Sequence, residues 1–165
     1  MNKHDQIIKV GIADLNIAKA PDKIRTSGLG SCVGVIIYDE KMKLGGLAHI
    51  MLPDSQQAKL TNKNNYKYAD TAIQILVKKM LRHGARQFAL QAKLAGGAQM
   101  FKFANGNDMM RIGPRNIAAV KKILAQYRIP IIAADVGGSS GRTIEFDPAT
   151  NRLKIRTVNK GETFI

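Results

Sequence analysis

The segment SCVGVIIYDEKMKLGGLAHIMLP, residues 31–53, decides the fold, because it holds two apolar runs with a short polar stretch between them. The first run, 31–39, is rich in Val and Ile, which is typical of a buried strand. The second run, 44–53, ends at a proline and contains a glycine pair, which indicates a bulge or a close backbone approach. The polar residues 40–43 predict a turn, so the two runs are expected to pair as a hairpin.

Strand-like and helix-like patterns alternate around this hairpin. Helical spacing of apolar residues predicts two long helices, of which the first is stopped by Gly84 and the second carries Pro114 in its first turn. Beyond the hairpin, the predicted elements are strands at 6–12 and 86–98, helices at 66–83 and 112–130, a strand within 129–141, and a second hairpin over 142–158 that turns at 147–151. This order predicts an α/β (α+β) fold, a layered sandwich of mixed β-sheet with two principal helices, and it leaves the strand order open.

The length and composition are those of one globular domain that covers residues 1–165. Hydrophobic residues make up 45% of the chain and charged residues 23%, which argues against an intrinsically disordered protein. No apolar run approaches the roughly 18 residues of a membrane span, and the N-terminus shows no secretory signal. A single cysteine forms no internal disulfide and suits a reducing compartment. We therefore expect a cytoplasmic protein without membrane insertion.

The chain is strongly basic, with 26 Lys and Arg against 12 Asp and Glu and a formal net charge of +14. Such a charge attracts anionic partners, of which nucleic acid is the first to consider. The basic residues are scattered, however, with the densest groups at 79–86 and 154–160, and aromatic residues make up 5% of the chain. Binding of single strands uses aromatic platforms among the basic residues. The sequence therefore favours an acidic protein partner, or a solubilising surface, over nucleic acid.

Cys32 is the candidate nucleophile, and it directly follows the stretch TSGLGS, residues 26–31. A nucleophilic thiol needs a base that takes its proton and N–H donors that bind the oxyanion. Gly28 and Gly30 allow a bend that presents the sulfur outward and turns backbone N–H groups toward one point. Two other interpretations stay open. Cys32 is also compatible with a small buried hydrophobic residue, and the glycines with a phosphate loop, although the lysine and following helix of a P-loop are missing.

His49 is the candidate base, because pairing of the hairpin would bring it to the same end of the sheet as Cys32. Of the other histidines, His4 lies near the terminus and His83 lies at the polar end of the first predicted helix. An imidazolium beside Cys32 would lower the pKa of the thiol below its reference value. A histidine in an apolar strand also suits a purely structural core position, so the spacing alone leaves both roles open.

The same residues carry a resemblance to a known family. The stretch TSGLGSCVGVIIYD, together with AHIMLP, whose histidine follows Cys32 by seventeen residues, resembles the motifs of the CheD family of chemoreceptor glutamine deamidases. The resemblance continues through KYADTAIQILVKKML, KLAGGAQMF, IGPRNIAAVKKIL and IPIIAADVGGSSGRTIEFDPATN, so it covers nearly the whole chain. These spaced motifs are specific, whereas the strong positive charge is not a hallmark of the family.

The resemblance implies hydrolysis of the side-chain amide of glutamines in methyl-accepting chemotaxis proteins, with hydrolysis of glutamyl methyl esters as a second activity. It implies catalytic roles for Cys32 as nucleophile, for His49 as base, and for Thr26 as the residue that orients the histidine. It further implies a layered fold similar to that of toxin-type cysteine glutamine deamidases.

Within the resemblance, Gly28, Gly30 and Ser31 form the oxyanion and substrate loop, although Ser31 suits a structural turn equally well. No metal or cofactor is expected, since the sequence offers no cluster of metal ligands at a suitable spacing. A CheC-type phosphatase of phosphorylated CheY is the expected protein partner, and Met100 and Phe101 are candidates for its contact surface. The alternative function is a non-catalytic adaptor for such a partner, against which the intact catalytic set argues.

Overall fold

The predicted hairpin lies within a five-stranded β-sheet of the computed structural model, which describes residues 5–57, 64–99 and 111–165. The strands are β1 (Ile7–Lys9), β2 (Leu15–Lys19), β3 (Lys23–Leu29), β4 (Val33–Asp39), β5 (Leu44–Ile50), β6 (Leu90–Gly96), β7 (Ile131–Val136), β8 (Arg142–Asp147), β9 (Arg152–Thr157) and β10 (Gly161–Phe164), and the helices are α1 (Ala69–Arg82) and α2 (Ile112–Gln126). β4 and β5 pair antiparallel in an unbroken register, with Val33 opposite Ile50 and Asp39 opposite Leu44. The prediction of this hairpin is confirmed.

Two five-stranded sheets contain the strands of the described residues. Their orders are β2-β5-β4-β6-β7 and β1-β3-β8-β9-β10. Both sheets are mixed, because β6 pairs parallel with β7 and β1 pairs parallel with β3, whereas the other neighbours are antiparallel. The second predicted hairpin is β8–β9, and its turn contains Asn151 with a φ of 60°. The turn predicted at 147–151 is therefore confirmed.

The molecule has three layers, because both faces of the central hairpin are buried. Val33, Val35 and Ile37 of β4 pack into a core with the two helices. Ile36 and Tyr38 point the opposite way and pack into a core with the second sheet. Successive side chains of a strand alternate between its faces, so a strand covered on both sides needs an apolar run without polar gaps. The layered sandwich of mixed sheet with two principal helices is confirmed for the described residues.

The glycine pair of β5 allows close packing on both faces and forms no bulge. A Cβ atom built on Gly45 would lie 2.6 Å from Phe146 of the second sheet, and one built on Gly46 would lie 2.6 Å from Leu76 of α1. The register of β4 with β5 continues past both glycines without a break. Of the two readings of this pair, close approach is therefore the one that the structure bears out.

Three strands are absent from the sequence-based prediction, namely β2, β3 and β10. β2 and β3 mix buried residues with partly or fully exposed ones and are joined by a short turn that contains Pro21, whereas β10 is exposed along its whole length. The predicted strand at 6–12 is shorter in the structure, and the one at 86–98 begins later because Gln87–Ala89 form a 3₁₀ turn.

Both predicted helices are confirmed, with shorter bounds. α1 ends at its C-cap His83, and Gly84 follows with a φ of 106°, so this glycine stops the helix as predicted. Pro114 lies in the first turn of α2, also as predicted. α2 ends before residue 130 because Arg128 adopts a φ of 56°, in the left-handed region where a right-handed helix does not continue.

Some predictions concern residues outside the described ranges. These residues are His4, Met100 and Phe101, together with 58–63 of the polar stretch 54–65. In the described ranges, neither helix combines the length and the apolar character that a membrane crossing requires.

Candidate active site

Cys32 and His49 lie at the same end of the hairpin, on the face that is directed toward the second sheet. His49 is paired with Gly34, and Cys32 precedes Gly34 by two residues, so the two side chains stand in diagonal positions on one face. Cys32 belongs to the core between the two sheets, as does Leu47, which shares this face with His49. The structure thus places both residues at one end of the hairpin, as the expected pairing predicts.

Gly34, the partner of His49 in the ladder, has no side chain to separate the hairpin from the second sheet. A Cβ atom on Gly34 would lie 2.6 Å from Cδ1 of Ile144 in β8. The second sheet therefore approaches the hairpin closely at this point, and it covers His49, of which 1% is exposed.

Thr26 reaches His49 from the second sheet. It lies on β3, on the same face as the fully buried Ile24, and its Oγ1 atom is 2.7 Å from Nδ1 of His49. The same Oγ1 donates a hydrogen bond of 2.7 Å to the carbonyl oxygen of Val10. Thr26 is itself buried, with 2% of its surface exposed. The contact therefore crosses the interface between the two sheets, away from water.

The two contacts of Thr26 determine which nitrogen of His49 carries the proton. A carbonyl oxygen accepts only, so the single hydroxyl hydrogen of Thr26 goes to Val10. Thr26 Oγ1 must then accept from His49, which places the imidazole proton on Nδ1. His49 Nε2 is left as an unprotonated, buried acceptor, and it has no partner among the described residues. Cys32 does not bond to it either, so Nε2 is a candidate base whose lone pair is unused within the described ranges.

Burial favours the neutral forms of both Cys32 and His49. It lowers the pKa of His49 to about 4, because a charged imidazole would be desolvated. It also raises the pKa of the Cys32 thiol, against a smaller opposing effect of the residue's own backbone N–H. Cys32 is 7% exposed, so its sulfur is not presented outward. The expectations of an outward sulfur and of an imidazolium that lowers the thiol pKa are therefore wrong, since burial dominates at both residues.

The glycine-serine loop begins later than the sequence indicates. β3 runs through Leu29, and Gly28, with a φ of 73°, lies at a break in its register with β8. The N–H of Gly30 donates to the carbonyl of Gly28 at 3.1 Å, so it is already engaged. Among the described residues, no backbone carbonyl accepts from the N–H groups of Ser31 and Cys32, although the Cys32 N–H acts on the residue's own thiol. These two groups are candidate donors for an oxyanion.

The turn after β6 supports the backbone of the Cys32 segment. Gly97 donates its N–H to the carbonyl of Cys32, and Ala98 donates to the carbonyl of Gly30, both over 2.8 Å. Gly96 has a φ of 107°, and a Cβ atom there would lie 2.3 Å from the carbonyl oxygen of Cys32. The glycine pair at 96–97 therefore turns the chain and also fixes the backbone next to the candidate nucleophile.

Comparison with known proteins decides the family. Residues 51–157, more than half of the chain, match the family model described as CheD chemotactic sensory transduction. The chain is 58% identical over 159 residues to the chemoreceptor glutamine deamidase CheD of Bacillus velezensis, with 96% of each chain covered. It is 60% identical over 158 residues to the protein of that name from Halalkalibacterium halodurans, with 96% of this chain and 98% of the relative covered. The chain belongs to the CheD family.

Asn116 is a buried polar residue of this CheD-family chain that the sequence patterns do not identify. Its side chain donates from Nδ2 to the carbonyl oxygens of Ser31 and Met51, at 2.9 Å each. A signal for it does exist, because Asn116 stands four residues before Val120 and eight before Leu124, on the buried face of α2. A polar residue in that position must find its hydrogen bonds inside the protein.

Arg142 of β8 is a second buried polar residue close to the site. Its guanidinium donates to the carbonyls of Gly96 at 3.2 Å and Gly137 at 2.9 Å, and it lies 3.3 Å from the carboxylate of Asp135. It thereby joins the turns after β6 and β7. Gly96 in turn packs against the carbonyl of Cys32. Through its hydrogen bond to Gly96, Arg142 of the second sheet therefore helps to hold the backbone of the Cys32 segment in place.

No group of three or more His, Cys, Asp or Glu side chains in the described part of this CheD-family chain is arranged to hold a metal ion.

Proposed function

We propose that this chain is a chemoreceptor glutamine deamidase, which hydrolyses glutamine side-chain amides of methyl-accepting chemotaxis proteins to glutamate and ammonia. The observation that carries the proposal is the hydrogen bond that Nδ1 of His49 donates to Thr26, which leaves Nε2 as a free base on the face where Cys32 lies. The printed names of the relatives, chemoreceptor glutamine deamidase, support the substrate class.

Acylation is the first half of the proposed mechanism. The sulfur of Cys32 attacks the carboxamide carbon while Nε2 of His49 takes the thiol proton, so a thiolate need not exist beforehand. The negative charge that develops on the amide oxygen is stabilised by the N–H groups of Ser31 and Cys32. The imidazolium then returns its proton to the leaving nitrogen, ammonia departs, and an acyl thioester on Cys32 remains.

Deacylation repeats these steps with water. Nε2 of His49 takes a proton from the water that attacks the thioester, the glutamate carboxyl group forms, and the sulfur leaves with the proton restored. Thr26 keeps the proton on Nδ1 in both halves, which is the orienting role of the third member of a catalytic triad. A glutamyl methyl ester presents the same acyl carbon with methanol as leaving group, so the mechanism extends to ester hydrolysis.

The proposal extends to the setting of the reaction. The chain 1–165 acts as one deamidase domain in the cytoplasm, with a layered fold of the kind that toxin-type cysteine glutamine deamidases have, and a CheC-type phosphatase is its protein partner. The fold supports the deamidase domain through the placement of Thr26, Cys32 and His49 at one interface between sheets.

Mass spectrometry of a receptor cytoplasmic fragment tests the proposal. Incubation with the protein should convert specific glutamines to glutamates, and Cys32→Ala should abolish the conversion while the variant stays folded. His49→Gln should lower the turnover strongly for lack of a base. Binding of the fragment by wild type without any conversion would instead support the adaptor alternative, and a folded Cys32→Ala variant of full activity would overturn the mechanism.

A further inference from the structure

Asn116 connects the backbone next to the candidate nucleophile with the backbone next to the candidate base. Its two Nδ2 hydrogens go to the carbonyls of Ser31, which precedes Cys32, and of Met51, which follows His49 by two residues. Both neighbours are carbonyl oxygens, which accept only, so the amide group has one orientation that satisfies them. One side chain from α2 thus holds both segments of the site.

The contact lies where the β-ladder has ended. The register between β4 and β5 stops at Val33 opposite Ile50, one residue short of Cys32. His49 itself lies inside the ladder, opposite Gly34, but no ladder bond of these two strands joins Ser31 and Cys32 to Met51. The Asn116 amide joins these segments instead, because it spans the carbonyls of Ser31 and Met51 directly after the last pair.

α2 is held in place by tight backbone packing, so a side chain of this helix can fix the position of the segments that it contacts. A Cβ atom on Gly113 would lie 2.3 Å from the carbonyl oxygen of Ala98, so the first turn of the helix is packed tightly on the turn after β6. That turn is itself bonded to the Cys32 segment, through Ala98 and Gly30. A shift of α2 relative to the site is therefore opposed by backbone contacts.

Packing of the helix alone does not account for this residue. Asn116 is fully buried, and its Oδ1 atom has no hydrogen-bond partner in the described parts of the chain. A buried acceptor without a partner costs free energy. A leucine of similar size would avoid that cost, but it would leave the carbonyls of Ser31 and Met51 without this donor, so these two contacts are what the amide provides.

We propose that Asn116 is a positioning residue for the reaction, which sets the separation of Cys32 and His49 through the carbonyls of Ser31 and Met51. This inference rests on the proposed deamidase function. Asn116→Asp is the sharpest variant, because it keeps the size of the side chain and removes the Nδ2 donor group. Asn116→Ala removes the whole amide, and it replaces the aspartate variant in the tests if that variant does not fold.

Kinetics on the receptor fragment, corrected for the folded fraction, provide the first test. Deamidation rates give kcat and KM for wild type and for the Asn116 variants. The variants should have a kcat about tenfold or more below that of wild type, since a misplacement of the reacting groups near 1 Å is enough for such a loss. KM should change less than about twofold, because the residue does not face the substrate. Val120→Ala is the matched control, since Val120 lies one turn further on the same buried face without contact to either carbonyl. It should lower stability and keep kcat.

A double-mutant cycle separates positioning from general stabilisation. If Asn116 acts by placing His49 relative to Cys32, its effect on kcat should fall below about twofold in the His49→Gln background. Equal losses of kcat in both backgrounds would overturn the inference, and so would a kcat loss for Val120→Ala as large as that of the Asn116 variants. Unchanged kcat in a folded Asn116→Asp variant would overturn it as well. Failure of wild type to deamidate the fragment would instead count against the proposed function itself.

Discussion

The Thr26 hydroxyl makes two hydrogen bonds, and the first determines the direction of the second. Because the proton goes to Val10, the oxygen is an acceptor for His49. Replacement of Thr26 by Val keeps the shape and removes both bonds, which leaves two buried polar atoms unpaired at about 1–3 kcal/mol each. The imidazole is then free to adopt the other tautomer, with Nε2 protonated and unable to act as a base.

Thr26→Val should therefore lower kcat about tenfold to a hundredfold, whereas Thr26→Ser should stay close to wild type because it retains the hydroxyl. The measurement is the initial rate of deamidation at saturating receptor fragment, with thermal unfolding to establish that both variants are folded. A valine variant as active as the serine variant would show that the tautomer does not matter.

The low pKa of His49 also predicts how stability depends on pH. The unfolded chain binds a proton at His49 below about pH 6.5, whereas the folded protein binds it only near pH 4, so acid favours unfolding in this interval. Relative to His49→Gln, the free energy of unfolding of wild type should fall by about 3 kcal/mol between pH 7 and pH 4. Urea unfolding of both proteins across this range measures the difference. Parallel curves would mean that His49 is not buried as a neutral group.

At the scale of elements, the sequence predicts what local pattern determines and misses what tertiary contacts determine. The β4–β5 hairpin is predictable because two apolar runs flank a polar turn, and its register alone brings Cys32 and His49 to one end. β3 is not predicted, since its polar residues and glycine resemble a loop and its strand character comes from pairing with β1 and β8. Thr26 could therefore be assigned only through the family resemblance.

The contacts of the buried polar residues also depend on tertiary structure and are missed by the sequence patterns. Asn116 lies on a helix whose apolar face is readily identified, but its partners are carbonyls of segments 85 and 65 residues away in the chain. No local pattern specifies such contacts. The burial that shifts the pKa of Cys32 and His49 is likewise a property of two sheets packed together, which explains why the sequence suggests a charged pair and the structure contains a neutral one.

The turns after β6 and β7 provide a matched pair of glycine substitutions. Gly96 and Gly137 both have positive φ, but a Cβ atom on Gly96 meets the carbonyl oxygen of Cys32, whereas one on Gly137 meets nothing within 4 Å. Gly137→Ala should cost about 1–2 kcal/mol of stability from backbone strain alone. Gly96→Ala should cost more and should also lower kcat, because the backbone of Cys32 must move. Chemical denaturation and deamidation rates test both, and equal effects would contradict the role given to Gly96.

At the scale of the whole molecule, the positive charge is concentrated on the helical layer. Residues 111–130 contain five Lys and Arg and no Asp or Glu, and residues 64–86 contain five Lys and Arg and one Asp. Residues 142–165 are more balanced, with five basic and three acidic side chains. Lys78 and Arg82 of α1 and Lys121 and Lys122 of α2 are exposed. The segments of the helical layer thus carry a larger excess of positive charge than residues 142–165.

Each deamidation replaces a neutral amide with a carboxylate, so a receptor segment becomes more anionic as it is modified. Electrostatic attraction should speed the encounter and be screened as the Debye length shrinks from about 10 Å at 0.1 M salt to about 3 Å at 1 M. We expect kcat/KM for the receptor fragment to fall with salt while kcat changes little. Lys121→Gln with Lys122→Gln should weaken this dependence. A neutral glutamine peptide is the control, and an equally steep salt dependence for this peptide would rule out steering.

The burial of Cys32 as a neutral thiol also bears on how long the enzyme survives in a cell exposed to oxidants. Peroxide attacks the thiolate, and a sulfenic acid that meets no second thiol can be oxidised further to forms that are not restored. This chain has one cysteine, so it contains no resolving thiol of its own. In the proposed mechanism the thiol is deprotonated only as the substrate is attacked, so its raised pKa should slow the reaction with peroxide between turnovers. The packing of the two sheets around Cys32 would then also protect the sulfur from oxidation.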